Sequence, residues 1–174
     1  YCANCDAGRC KYNHADYVKN ALEKRGYAGH LHEAGDMVNT VGLFWYKKAF
    51  RMQTIACDNH STAALPTKKG ALYAQLLHTR SNETIGLVAL HPSVPLDGEQ
   101  KPNTAKPMSE VKQIMQKVVE LFEPAVPCIL AGDFNCVPVP TAGCAPPDVY
   151  EYVVKQGYAS AYKTVQGGEP KFTS

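Results

Sequence analysis

The sequence predicts an α/β protein, on three observations: dense apolar runs of strand length, segments between them with helical apolar spacing, and the alternation of the two along the chain. YCANCDAGRCKYNH, residues 1–14, is rich in Cys and small polar residues and follows neither period, so it reads as a Cys-rich loop set apart from the rest, residues 15–174. From His14 to Arg25 apolar groups recur at Val18, Ala21 and Leu22 and Gly26 follows as a stop, the pattern of a short amphipathic helix. An extended segment starts at Tyr27. VGLFWYKKAF, residues 41–50, is dense in aromatic and branched residues and reads as one central strand packed on both faces. Residues 71–77 and 85–91 are two further apolar runs around a polar tip at 80–84, a hairpin that delivers His91 at its end.

Residues 92–107 turn to Pro, Gly, Lys and Asp, the composition of a long surface loop. Ser109 then offers an N-cap, and Val111, Ile114, Met115, Val118, Val119 and Phe122 hold one face of a helix that ends before Pro124. VPCILA, residues 126–131, is a short continuous apolar run between proline and glycine punctuation, as a buried strand would be. Asp148 with Glu151 three residues later has the spacing of a capping box for a helix through Val154, which Gly157 ends.

Composition narrows the function. A chain of 174 residues, 45% hydrophobic and 20% charged, is long enough for one packed domain, since domains commonly run about 100 to 150 residues. No window approaches the roughly 18 apolar residues of a membrane-spanning helix. Eighteen Lys+Arg against sixteen Asp+Glu gives a net charge of +2, which excludes a protein that grips nucleic acid by charge alone while permitting a nucleic-acid substrate. Seven cysteines cannot all pair within the chain, and their scatter favours reduced thiols and an intracellular setting. The first residue is Tyr1, which leaves an organellar destination open if a leader has been removed.

The residues that carry chemistry are Gly132, Asp133, Phe134 and Asn135, directly after the run 126–131. Side chains leaving a strand end can meet a ligand there. A carboxylate at such a place orients or deprotonates water, and an amide donates to a phosphoryl oxygen as charge builds on it. The same residues also suit a turn closed by an Asx side chain.

The words around this motif resemble the endonuclease/exonuclease/phosphatase family, in its deadenylase, nocturnin and Angel branch. ALEKRGYAGH (residues 21–30) is similar to the family's helix and Gly-Tyr segment, and LFWYKKAF (43–50) to its aromatic strand ending in Lys-Lys. VALHP (88–92) is similar to its Asn-Thr-His strand, PCILAGDFNCVP (127–138) to its most characteristic block, and SAYKTVQGGEPKFTS (160–174) to the segment before its last catalytic strands. The resemblance implies a partial four-layer α/β sandwich of the DNase-I type, with mixed sheets and flanking helices. It implies magnesium-dependent phosphoester hydrolysis on RNA or a nucleotide. Asp133 would be the water-orienting carboxylate, Asn135 the organiser of phosphate and carboxylate, and His91 the phosphate-stabilising imidazole. A strand-end histidine satisfied by the backbone is the plainer alternative for His91.

The pattern also departs from the family. Its metal-binding Glu lies upstream of the helix that begins near His14, yet no glutamate precedes Glu23 in these residues, and its Asp-Tyr and Asp-His pairs, which normally come after the segment matched by 160–174, are not among residues 1–174. Its Asn and Thr before His are matched by Ala89 and Leu90. The expectation is therefore an incomplete domain, inactive by itself. The alternative is a degenerate, non-catalytic chain in a larger assembly, with protein partners covering its exposed sheet. Separately, Cys2, Cys5, Cys10 and His14 have a C-x2-C-x4-C-x3-H spacing that would suit a structural zinc ion. Cys136 reads as a small packed residue, and Lys47 and Lys48 as solvated surface.

Overall fold

The computed structural model describes residues 14–33, 40–59, 70–95, 103–139 and 146–170. Cys2, Cys5 and Cys10 lie outside them, and of His14 only the backbone is described, so the zinc expectation falls outside the described residues.

Helix α1 (His14–Glu23) ends ahead of Gly26, whose φ of +87° suits glycine, and the chain turns into β1 (Tyr27–Glu33). β1 pairs antiparallel with β2 (Thr40–Tyr46) as a two-stranded sheet. β3 (Phe50–Asn59), β4 (Gly70–His78), β5 (Thr84–Leu90) and β6 (Cys128–Gly132) form a second sheet in that order. Its first three strands are antiparallel, whereas β6 runs parallel to β5. Helix α2 (Ala105–Leu121) makes the crossover between those two parallel strands, as their geometry requires. The short helices α3 (Asp148–Lys155) and α4 (Ala161–Gln166) follow β6.

The twofold period of a strand divides the core. Leu72, Ala74 and Leu76 of β4 and Ala89 of β5 face Val41, Leu43 and Trp45 of β2, so the two sheets stack. The intervening residues Ala71, Tyr73, Val88 and Leu90 point the other way, onto Ile114, Val118 and Phe122 on and just after α2. Val111 and Met115 of α2 in turn meet Val149 and Val153 of α3, while α1 lies against β1. The result is a sandwich with a mixed sheet and flanking helices, as the sequence predicts. The hairpin is also found, with Leu77 opposite Thr84 and Asn82 in the left-handed region at its tip.

Four local expectations are corrected. Residues 41–50 are not one central strand: Lys47 to Ala49 turn the chain, β2 sits in the small sheet, and β3 is the edge strand of the large one. α2 starts at Ala105 with Thr104 as N-cap rather than at Ser109, which leaves Pro107 in the first turn, where a missing N–H costs no intrahelical bond. The capping box does not form. Pro147 is the N-cap of α3, and Asp148 instead accepts a 2.8 Å hydrogen bond from the Thr104 hydroxyl, joining the starts of α2 and α3. Finally, β6 is not fully buried, and Ile129 is 53% exposed.

Candidate active site at the carboxyl edge of β5 and β6

The register of the parallel pair builds this site. Leu90 of β5 lies beside Gly132 of β6, so His91 and Asp133 leave the sheet as neighbours from the same edge. Gly132 has φ +144°, and a Cβ built on it would overlap the Leu90 carbonyl oxygen. Only glycine permits this close approach. Phe134 then turns inward to pack among the α2 and α3 contacts, which leaves its neighbours Asp133 exposed and Asn135 half-buried.

Asn135 adopts φ +49°, a left-handed conformation that asparagine tolerates. Its backbone N–H donates to Asp133 Oδ1 at 2.9 Å, closing an Asx turn, and its side-chain Nδ2 donates to the Pro92 carbonyl at 2.8 Å. The turn read from the sequence thus exists, and it brings Asn135 against the residue that follows His91. The three residues singled out from the sequence meet at one edge.

A cavity of about 820 Å³ runs along the open side of β6, lined by Ile129, Leu130, Asp133, Tyr150, Tyr158 and Glu169 among others. Tyr150 donates its hydroxyl to Glu169 Oε1, and Ser160, the N-cap of α4, donates to Glu169 Oε2 at 3.0 Å. The hydrogen bond to Glu169 is the main reason the Tyr150 hydroxyl is pushed up to about 12. Burial pushes the Cys136 thiol up to about 11, the negative Asp133 adding to it, which keeps Cys136 neutral and a poor nucleophile. Burial also raises Cys128 and Tyr158, which share a hydrogen bond.

Among the described residues, no three His, Cys, Asp or Glu side chains converge as a ready metal cage. Magnesium often takes one or two carboxylates and completes its shell with water and substrate phosphate. Asp133 fits as one such ligand, and Glu169, which lines the same cavity, is engaged by the Tyr150 and Ser160 hydroxyls.

The fold superposes on the human Nocturnin catalytic domain, solved with a bound sulfate anion, with a TM-score of 0.77 over 93% of this chain. The chain has the endonuclease/exonuclease/phosphatase fold. Identity to Nocturnin is 19%, and the chain spans 62% of that domain's length. An endonuclease/exonuclease/phosphatase family protein from Bacteroides thetaiotaomicron aligns with a TM-score of 0.61 at 15% identity, over 81% of this chain and 51% of its own. The 2′,3′-cyclic phosphatase ANGEL2 aligns with a TM-score of 0.61 at 13% identity, over 92% of this chain and 47% of its own. No family model matches the sequence, and no curated protein matches it significantly.

On this fold the sequence reading named the residues at this edge but missed the groups that support them. Glu110 of α2 is buried and accepts hydrogen bonds from Ser93. Its signal was a charged residue on the apolar stripe that runs through Pro107, Val111, Ile114 and Val118. The Tyr150, Ser160 and Glu169 cluster had no such signal, because it joins residues from separate elements.

Proposed function

We propose that the chain is a phosphoester-handling fragment of a hydrolase with this fold, acting on RNA or a nucleotide through His91, Asp133 and Asn135. The observation that carries this reading is the parallel register of Leu90 and Gly132, which sets an imidazole, a carboxylate and an amide at one sheet edge. His91 and Asn135 would donate hydrogen bonds to phosphoryl oxygens as negative charge builds in the transition state. Asp133 would hold and direct the attacking water, its Oδ1 already fixed by the Asn135 N–H. A magnesium ion, when bound, would neutralise phosphate charge. Sulfate bound to Nocturnin and the cyclic phosphatase activity in the name of ANGEL2 support a tetrahedral or phosphate ligand for this fold.

With no group of three metal-binding side chains among the described residues, the chain by itself is expected not to turn over. Incubating it with labelled oligoadenylate and magnesium should yield no cleavage. Robust cleavage that disappears in Asp133→Ala would overturn that inactivity and establish a hydrolase.

A second reading, a non-catalytic structural subunit, is favoured by the open side of β6. Ile129 and Val154 are exposed around the apolar cavity, and among the described residues β6 is paired on one edge alone, an arrangement that invites a covering partner. Ala89 and Leu90 are also packed into the two hydrophobic layers, where they serve the core. Co-purification of the natural protein with a stoichiometric partner, together with loss of that partner in Ile129→Lys, would support this reading. A monomeric natural protein would count against it.

A further inference from the structure

Glu110 is the one buried charged side chain among the described residues, with 1% of its surface exposed. A carboxylate there is costly unless its oxygens are matched by donors. Both are matched by one residue: the Ser93 backbone N–H donates to Oε2, and the Ser93 hydroxyl donates to Oε1 at 2.8 Å. Ser93 is two residues past His91. Between them Pro92 is fully buried, its ring fixes the backbone φ, and its carbonyl accepts the Asn135 Nδ2 hydrogen bond at 2.8 Å. Asn135 in turn holds Asp133 through its backbone N–H at 2.9 Å. A continuous chain of bonds thus leads from the interior of α2 to all three residues at the sheet edge.

We propose that Glu110 is a positioning residue: it clamps the turn at residues 91–93, so that the Pro92 carbonyl is presented to Asn135 and His91 is held in register with Asp133. Helix α2 already crosses behind the parallel strands to cover them, and through Glu110 it also sets the spacing of the groups at their ends. A neutral apolar residue on the same stripe would pack α2 but leave the Ser93 donors unmatched and the turn free to shift. The importance of this clamp for catalysis rests on the phosphoesterase reading. The geometry does not.

The test is 15N NMR of the 174-residue chain, read at the Asn135 side-chain amide, whose signals are assigned by their loss in Asn135→Asp. In Glu110→Ala the amide signals should move, and their hydrogen exchange should quicken by about five- to tenfold, the equivalent of one net hydrogen bond. Glu110→Gln should restore them, because its oxygen can accept from the Ser93 N–H while its amide donates to the Ser93 oxygen. Met115→Ala, a buried change on the same helix that meets α3 rather than Ser93, should leave them in place. If Glu110→Ala fails to fold, Ser93→Ala removes one of the two bonds and should move the Asn135 signals in the same direction by less. The proposal is overturned if Asn135 is unmoved in the folded Glu110→Ala or Ser93→Ala chain, if Met115→Ala moves it equally, or if Glu110→Gln does not restore it. Inorganic phosphate that leaves His91 and Asn135 of the unsubstituted chain unmoved would count against the phosphoesterase reading alone, since the clamp is decided by the amide signals without it.

Discussion

Strands β5 and β6 are parallel neighbours with equally apolar sequences, but they meet different surroundings. β5 lies between β4 and β6 with Val88 and Leu90 turned onto α2, and Leu90 is 2% exposed. β6 has β5 on one edge and an open cavity along the other side, where Ile129 is 53% exposed. An apolar run therefore reports what a strand is able to bury, while its neighbours decide what it does bury. The candidate site stands where the two regimes meet. His91 projects from the end of the covered strand and Asp133 from the end of the open one.

The largest expected effect comes from breaking the covered side. Leu90→Ala should lower stability by about 2–5 kcal/mol, measured by urea unfolding, since it leaves a cavity against Tyr73 and Ile114. Gly132→Ala should cost about 1–3 kcal/mol for its left-handed strain, with the overlap on the Leu90 carbonyl added to it. That variant should also displace the NMR signals of His91 and Asp133 together, because their common register is lost.

Alkaline titration probes the groups around the cavity. Cys136 and Tyr150 bind their protons more tightly in the folded chain, rising from 9.0 to about 11 and from 10.0 to about 12. The stability this represents is fully present below pH 9 and is lost as pH rises through the 9 to 12 window. Unfolding followed against pH should show that decline, and Tyr150→Phe should flatten its upper part. The smallest effect is expected on the open side, where Ile129→Ala should change stability by no more than about 0.5 kcal/mol. A loss comparable to that of Leu90→Ala would mean that β6 is covered in solution and would erase the contrast between the two strands.

Much of this was legible in the sequence because it is local. The hairpin was marked by two apolar runs around a polar tip, and the Asx turn of the candidate site by a motif directly after a strand. The break at residues 47–49 was not legible, since Lys47, Lys48 and Ala49 carry none of the Gly or Pro signals of a turn. Asp148 has the spacing of a capping residue, but the Thr104 hydroxyl 44 positions away takes it instead. Glu110 fell in the same gap: its partner Ser93 lies 17 residues upstream, and only the folded crossover brings them together. An exposed sheet was expected, but not that β6 would be the open strand, because exposure belongs to the surroundings of a strand and not to its residues.

The most direct test of the central claim, that the ends of β5 and β6 form one phosphate-handling site, is an NMR titration of the chain with inorganic phosphate. The account predicts that the His91 ring and the Asn135 side-chain amide shift together along one binding curve, and that both responses vanish in His91→Ala. Shifts confined to residues away from this edge, or no response at either group, would contradict it.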